Sequence, residues 1–141
     1  MSDEQTLVFV YGTLMKGERN HERFLSGDGA TFIAHAATRE HRFMMVVTPS
    51  LSTPGRETPS VYPQENGHKL QGQVFAVDDA RLAQLDLLEK EYQRSVIELD
   101  NGMKTWIYLK PQENIKEFST TSAHLHPDRV NNSIRWREET P

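Results

Sequence analysis

Glu89 falls in the middle of a leucine stripe. In the stretch DDARLAQLDLLEKEYQR, residues 78–94, a turn of about 100° per residue puts Leu82, Leu85, Asp86 and Glu89 on one face, the pattern that meets a core. Asp78 or Asp79 can cap the free amides at the start, and no Gly or Pro interrupts the residues after them. Glu89 lies toward the C-terminal end, where the helix macrodipole disfavours negative charge. Desolvation and the dipole both favour the protonated acid, which raises its pKa toward the range useful for moving protons. The plainer alternatives are a last turn open to solvent, or an ion pair with Arg94 or a lysine.

A second candidate lies near the start of the chain. Leu7 to Val10 reads as a short buried strand that runs directly into Tyr11-Gly12-Thr13-Leu14-Met15-Lys16-Gly17. A strand followed at once by a Gly-containing turn can aim successive backbone N–H groups into one concavity, which suits an anion. An ordinary strand-to-loop turn would read the same way. Neither the dinucleotide fingerprint nor the P-loop glycine spacing is present.

Other chemistry is weaker. His124-x-His126 has both imidazoles on one side of an extended segment, but with no cysteine and no clear third ligand a solvated loop is expected rather than a metal site. His21, His35, His41 and His68 are scattered, and no Ser/His/Asp constellation accompanies them. Asn131-Asn132-Ser133 matches a glycosylation sequon, which matters only in a secreted chain. Arg135-Trp136-Arg137 is too small a cluster for a nucleic-acid surface.

The scaffold around these groups reads as mostly strands. Asn20 can cap a short helix through Leu25, ended by Ser26-Gly27-Asp28-Gly29. Strands are expected around Thr31–Ala37 and Phe43–Thr48. From Pro49 to Asn66 the Ser, Thr, Pro and Gly content predicts a long irregular loop, with Val61-Tyr62-Pro63 as an apolar anchor. Leu70–Val77 reads as a strand feeding the Asp78 helix, and Gly72 within it suggests a bulge or a ligand close to the backbone. Ser95–Leu99 and Met103–Leu109 flank Asp100-Asn101-Gly102, a strong hairpin signal, with Trp106 or Tyr108 expected in the core. Pro111 should stop the second strand, and the remainder reads as an extended tail with a late anchor at Ile134–Trp136.

The 141 residues suit a single domain, 1–141, with a core over about 7–110 and the tail over 111–141. A hydrophobic content of 36% and a mean hydropathy of -0.66 point to long solvated loops rather than wholesale disorder. The net charge of -4 and the lack of a dense Lys/Arg stripe argue against nucleic acid as a partner. The absence of cysteine removes disulfides, thiol nucleophiles and Cys-based zinc sites, and it fits a reducing compartment. The N-terminal apolar run is too short for a signal peptide or membrane span, so a cytoplasmic protein with no membrane association is expected. Oligomeric state is not set by these features.

Val8-Phe9-Val10-Tyr11-Gly12-Thr13-Leu14, then Leu70–Val77, then Leu85-Asp86-Leu87-Leu88-Glu89 and Tyr92-Gln93-Arg94 resemble, in that order, the γ-glutamylcyclotransferase-like family. The nearest branch looks like the γ-glutamylamine cyclotransferase and AIG2-like group. The resemblance covers about Leu7 to Leu109 and implies an α+β fold, a small mixed β-barrel flanked by short helices. It further implies that Tyr11, Gly12, Thr13 and Leu14 hold the glutamyl end of a small-molecule substrate, that Glu89 is the catalytic acid/base, and that Tyr92 lines or closes the pocket. The family often has Gly after the acid where this chain has Lys90, and the 49–66 loop and the tail match only loosely.

The chemistry so implied needs neither metal nor cofactor. The α-amino nitrogen of a γ-glutamyl amide closes onto its own γ-carbonyl, releasing 5-oxoproline and a free amine, while the carboxylate ferries the proton. The departing amine stays open among simple amines, amino acids, glutathione-type peptides and protected metabolites. A binding or regulatory protein on the same fold is the alternative.

Overall fold

The computed structural model describes residues 5–18, 20–27, 29–49, 56–90, 92–111, 113 and 124–137. Among them the elements run β1 (Thr6–Val10), α1 (His21–Phe24), β2 (Ala30–Ala37), β3 (Phe43–Pro49), β4 (Glu57–Pro63), β5 (Lys69–Val77), α2 (Asp79–Leu88), β6 (Gln93–Glu98), β7 (Lys104–Leu109), β8 (Leu125–Asp128) and β9 (Ser133–Trp136). The class is α+β, with a sheet-dominated core and, among the described residues, two short helices.

Strand β5 is the spine. Its residues from Val74 to Val77 are all buried, the near-continuous apolar run of a strand covered on both faces. β1 pairs with it antiparallel from Thr6↔Val77 to Val10↔Gln73, and β2 pairs antiparallel from Ala30↔Val77 to Ala37↔Gln71. The other edge of β1 meets β7 in parallel, with Val8 opposite Trp106, and β6 completes that side. The hairpin expected at Asp100–Gly102 is present, with Gly102 at φ 88 as such a turn requires. Tyr108 is buried, while Trp106 is half-buried beneath Arg94, whose guanidinium lies 4.8 Å from the indole centroid.

Three expectations are corrected. The seven-stranded sheet runs β6-β7-β1-β5-β9-β8 with β2 also on β5, so among the described residues it is open and no closed barrel forms. β3 and β4 pair with each other as a separate two-stranded sheet, and Pro59 and Pro63 in β4 each remove a donor from any wider ladder. The loop expected over 49–66 is therefore interrupted by β4, whose Val61 and Tyr62 are buried; residues 50–55 lie outside the described residues. The bulge lies in β2, between Phe32 and Ala34, rather than at Gly72. A side chain on Gly72 would instead run into the Val10 carbonyl and the Phe9 ring, so close strand packing accounts for that glycine.

The segment expected to be an extended tail contains a hairpin. β8 and β9 pair antiparallel, and β9 joins the start of β5 in parallel through Lys69↔Ser133 and Leu70↔Ile134. Trp136 is 1% exposed, which is how that anchor seals the end of the core. Of the stretch from 112 to 123 only Glu113 lies within the described residues. Among the described residues no helix is long and apolar enough to cross a membrane.

Candidate active site

The loop after β1 is a scaffolded concavity. The Met15 N–H donates to the Gly12 carbonyl at 3.1 Å, and the Lys16 N–H donates to Gln73 Oε1 at 2.8 Å. Asn20 closes the loop from outside: its N–H donates to the Thr13 carbonyl at 2.8 Å and its Nδ2 to Thr13 Oγ1 at 3.0 Å. Asn20 stands at the start of α1 as expected, but its side chain makes no capping bond and is used on Thr13 instead. Within the described residues the N–H groups of Gly12, Thr13 and Leu14 find no acceptor, while the loop itself is buried. Unengaged amides in a sheltered turn are an anion-binding arrangement.

Helix α2 delivers the acid. Asp78 is the N-cap, accepting from the Arg81 N–H at 2.8 Å, and Leu85 on the inner face is fully buried. The helix ends at Leu88, one residue before Glu89, whose N–H still donates to the Leu85 carbonyl at 2.9 Å. Glu89 is thus the C-cap rather than an interior residue, and the chain then turns, with the Tyr92 N–H donating to the Glu89 carbonyl at 2.8 Å. Burial pushes the Glu89 carboxyl up to about 7 from 4.5, while the charge of Lys110 pulls the other way. Arg94 is not its partner. The Arg94 Nε pairs with Asp86 at 3.0 Å, and Asp86 also accepts from the Tyr108 hydroxyl at 2.8 Å.

Three tyrosines wall the acid. The Tyr11 hydroxyl donates to the Tyr108 carbonyl at 2.8 Å, and burial, reinforced by Tyr92 and Glu89, holds its pKa well above the usual phenol value. Burial and Asp86 likewise raise Tyr108. The Tyr92 hydroxyl shares a 2.8 Å hydrogen bond with Ser60 Oγ, which ties the acid's turn to β4. Lys110 follows β7, and its Nζ lies 5.7 Å from the Tyr92 ring centroid.

These groups line one cavity of about 40 Å³. Tyr11, Gly12, Thr13, Leu14, Glu89 and Tyr92 all contribute to it, together with Thr58, Pro59 and Tyr108. A larger open groove of about 860 Å³ lies beyond Met15, bordered by Lys16, Gln71, Asp100 and Arg135. It contains none of those six residues. His124 faces Glu57 at 3.7 Å and packs edge-on against Trp136 at 5.2 Å, and no metal-binding cluster of His, Asp or Glu occurs among the described residues.

Sequence reasoning did not single out Thr58, Pro59 or Lys110. β4 was hidden by its prolines. Lys110 had one readable signal, the alternation that sets it on the same face as Trp106 and Tyr108.

Comparison with known proteins bears on this arrangement. The profile of the family described as "Gamma-glutamyl cyclotransferase, AIG2-like" matches residues 8–129. A Drosophila melanogaster protein provisionally named as a gamma-glutamylcyclotransferase is 31% identical over 137 residues, covering 89% of this chain and 84% of that one. The gamma-glutamylaminecyclotransferase of Homo sapiens is 34% identical over 96 residues, covering 64% of this chain and 60% of that one. Among solved structures, an AIG2-like protein from Mus musculus aligns with a TM-score of 0.63 at 20% identity, covering 98% of this chain and 99% of that one. At that identity the likeness is one of fold.

Proposed function

The chain belongs to the gamma-glutamyl cyclotransferase, AIG2-like family, and we propose that it cyclises γ-glutamyl amides, releasing 5-oxoproline and a free amine. One observation carries this reading. A carboxyl with its pKa raised to about 7 shares a cavity with the amides of Gly12, Thr13 and Leu14, which find no acceptor among the described residues.

In the proposed reaction the loop amides hold the substrate's α-carboxylate and fold the chain back on itself. Glu89, as carboxylate, takes a proton from the α-ammonium and frees the nitrogen lone pair. That nitrogen bonds to the γ-carbonyl carbon, and the bond from this carbon to the departing nitrogen breaks. Two protons leave the α-nitrogen and two arrive on the departing amine, so no water or co-reactant is consumed. A proton shuttle of this kind is worth roughly 10²–10⁴ in rate, and fixing the folded-back geometry adds a further entropic gain. Tyr11, Tyr92 and Tyr108 line the same cavity as the acid.

A cavity of about 40 Å³ has room for a few water molecules, less than a glutamyl group needs. Entry of a glutamyl group therefore requires the cavity to widen. Because the chain has no cysteine, a reducing compartment such as the cytoplasm suits it.

The test is incubation of purified protein with γ-glutamyl amides and γ-glutamyl amino acids, following 5-oxoproline and free amine together. Equimolar release of both supports the reading. Binding of these compounds without release would assign the cavity to recognition alone.

A further inference from the structure

The bond between Asn20 and Thr13 has a direction. Asn20 Nδ2 has only protons to give, so Thr13 Oγ1 accepts at 3.0 Å and its own O–H must turn away from Asn20. Among the described residues that O–H has no acceptor, although Thr13 is 8% exposed. Thr13 is a wall of the cavity that also holds Glu89, whereas Asn20 does not line it.

The backbone of the loop is arranged in the same sense. The Asn20 N–H holds the Thr13 carbonyl at 2.8 Å, the Met15 N–H holds that of Gly12 at 3.1 Å, and His21 Nδ1 donates to that of Leu14 at 3.1 Å. The three oxygens that would repel an anion are therefore engaged elsewhere. In a trans peptide the N–H lies opposite the carbonyl, so the first two bonds turn the Leu14 and Thr13 amides away from Asn20 and Met15. We propose that Asn20 is a positioning residue: it sets the sense of the Thr13 hydroxyl, which then donates to the same substrate carboxylate as the loop amides. This rests on the cyclotransferase reading for the identity of the ligand, and it adds a side-chain donor whose direction is fixed before the ligand arrives.

A bond that only braced the loop would serve in either direction, and Asn20→Asp separates the two roles. Its carboxylate is close in shape to the amide but has only lone pairs to offer, so it draws the Thr13 proton to itself. Binding of γ-glutamylalanine is followed by calorimetry in the Glu89→Gln background, where turnover is slowest. Asn20→Asp should weaken binding at least ~10-fold more than Asn20→Ala does. With Thr13→Val added, the two should differ by less than about threefold, whereas a difference caused by the new charge alone would persist there. Thr13→Ser keeps the hydroxyl and should bind within about threefold of the parent, and Thr13→Val at least ~10-fold more weakly. Circular dichroism confirms that each variant is folded. Should Asn20→Asp fail to fold, equal binding by Thr13→Ser and Thr13→Val overturns the proposal. So does Asn20→Asp binding as well as Asn20→Ala, or an excess loss that survives Thr13→Val; release of 5-oxoproline by the wild type then leaves the cyclotransferase reading standing. If the coupling is found and no 5-oxoproline is released, the role of Asn20 holds for a binding site and the reaction falls. If the parent does not bind γ-glutamylalanine, both fall together.

Discussion

The Pro59 ring occupies the space that Gly12 leaves by lacking a side chain, its Cγ 2.6 Å from where a Cβ would sit. That contact couples the loop after β1 to β4. Gly12→Ala should therefore raise KM and cost about 1–3 kcal/mol of stability through overpacking. Adding Pro59→Ala should recover part of both losses, whereas additive effects in this double-mutant cycle would mean that the contact is not felt.

Glu89→Gln is expected to lower kcat by at least ~10² while leaving the fold intact, because the change is nearly isosteric and removes a sheltered charge. Near-wild-type release of 5-oxoproline by this variant would eliminate the shuttle.

The pH dependence comes from the same carboxyl. The proposed base is its ionised form, so kcat/KM should rise with pH along a limb centred near 7, the value to which burial pushes it. Stability should move the opposite way. A carboxyl whose pKa is raised on folding holds its proton more tightly in the native state, so the native state has its full advantage below 4.5 and loses it as pH climbs through about 7. Chemical denaturation at pH 8 should then find Glu89→Gln more stable than wild type, by up to about 3 kcal/mol, with the difference vanishing near pH 4. A flat rate profile between pH 5 and 9 would contradict the assignment.

Tyr92→Phe removes the hydroxyl bonded to Ser60, the link between the acid's turn and β4. A looser β4 is expected to change KM by several-fold with less effect on kcat, and Ser60→Ala should behave similarly. The two effects should be partly non-additive in the double variant, because both delete the Tyr92–Ser60 bond, although Ser60→Ala also removes the contact with Thr48 Oγ1. Full additivity in steady-state kinetics would show that they act separately.

Helical phase alone was enough to place Glu89 on the inward side, because Leu82 and Leu85 fix which side of α2 faces the core. The position of the last helical hydrogen bond was not readable, and it makes Glu89 a cap rather than a residue within the helix. Val8 to Val10 and Leu70 to Val77 were recognisable as strands because their apolar runs are short, bounded and dense in β-branched residues. β4 escaped for the opposite reason: ETPSVYP has loop composition, and only its pairing with β3 makes it a strand. The β8–β9 turn had a local cue in Asp128, whose carboxylate accepts from the N–H groups of Val130 and Asn131. Asn132, at φ 49, completes it. Strand alternation sets Lys110 on the face of Trp106 and Tyr108, but its relation to Glu89 was not readable, because it exists only after β7 has docked against β1 and β4.

Strand β1 lies between β5 and β7, with Val8 opposite both Phe75 and Trp106. The earliest of the described strands is therefore sandwiched by neighbours translated much later. Until they emerge, its Leu-Val-Phe-Val run is an adhesive ribbon with nothing beside it, and such distant pairings are slow to form. Nascent chains stalled ahead of the Asp100–Gly102 hairpin should thus be clients for holdase chaperones, released once β7 slots in.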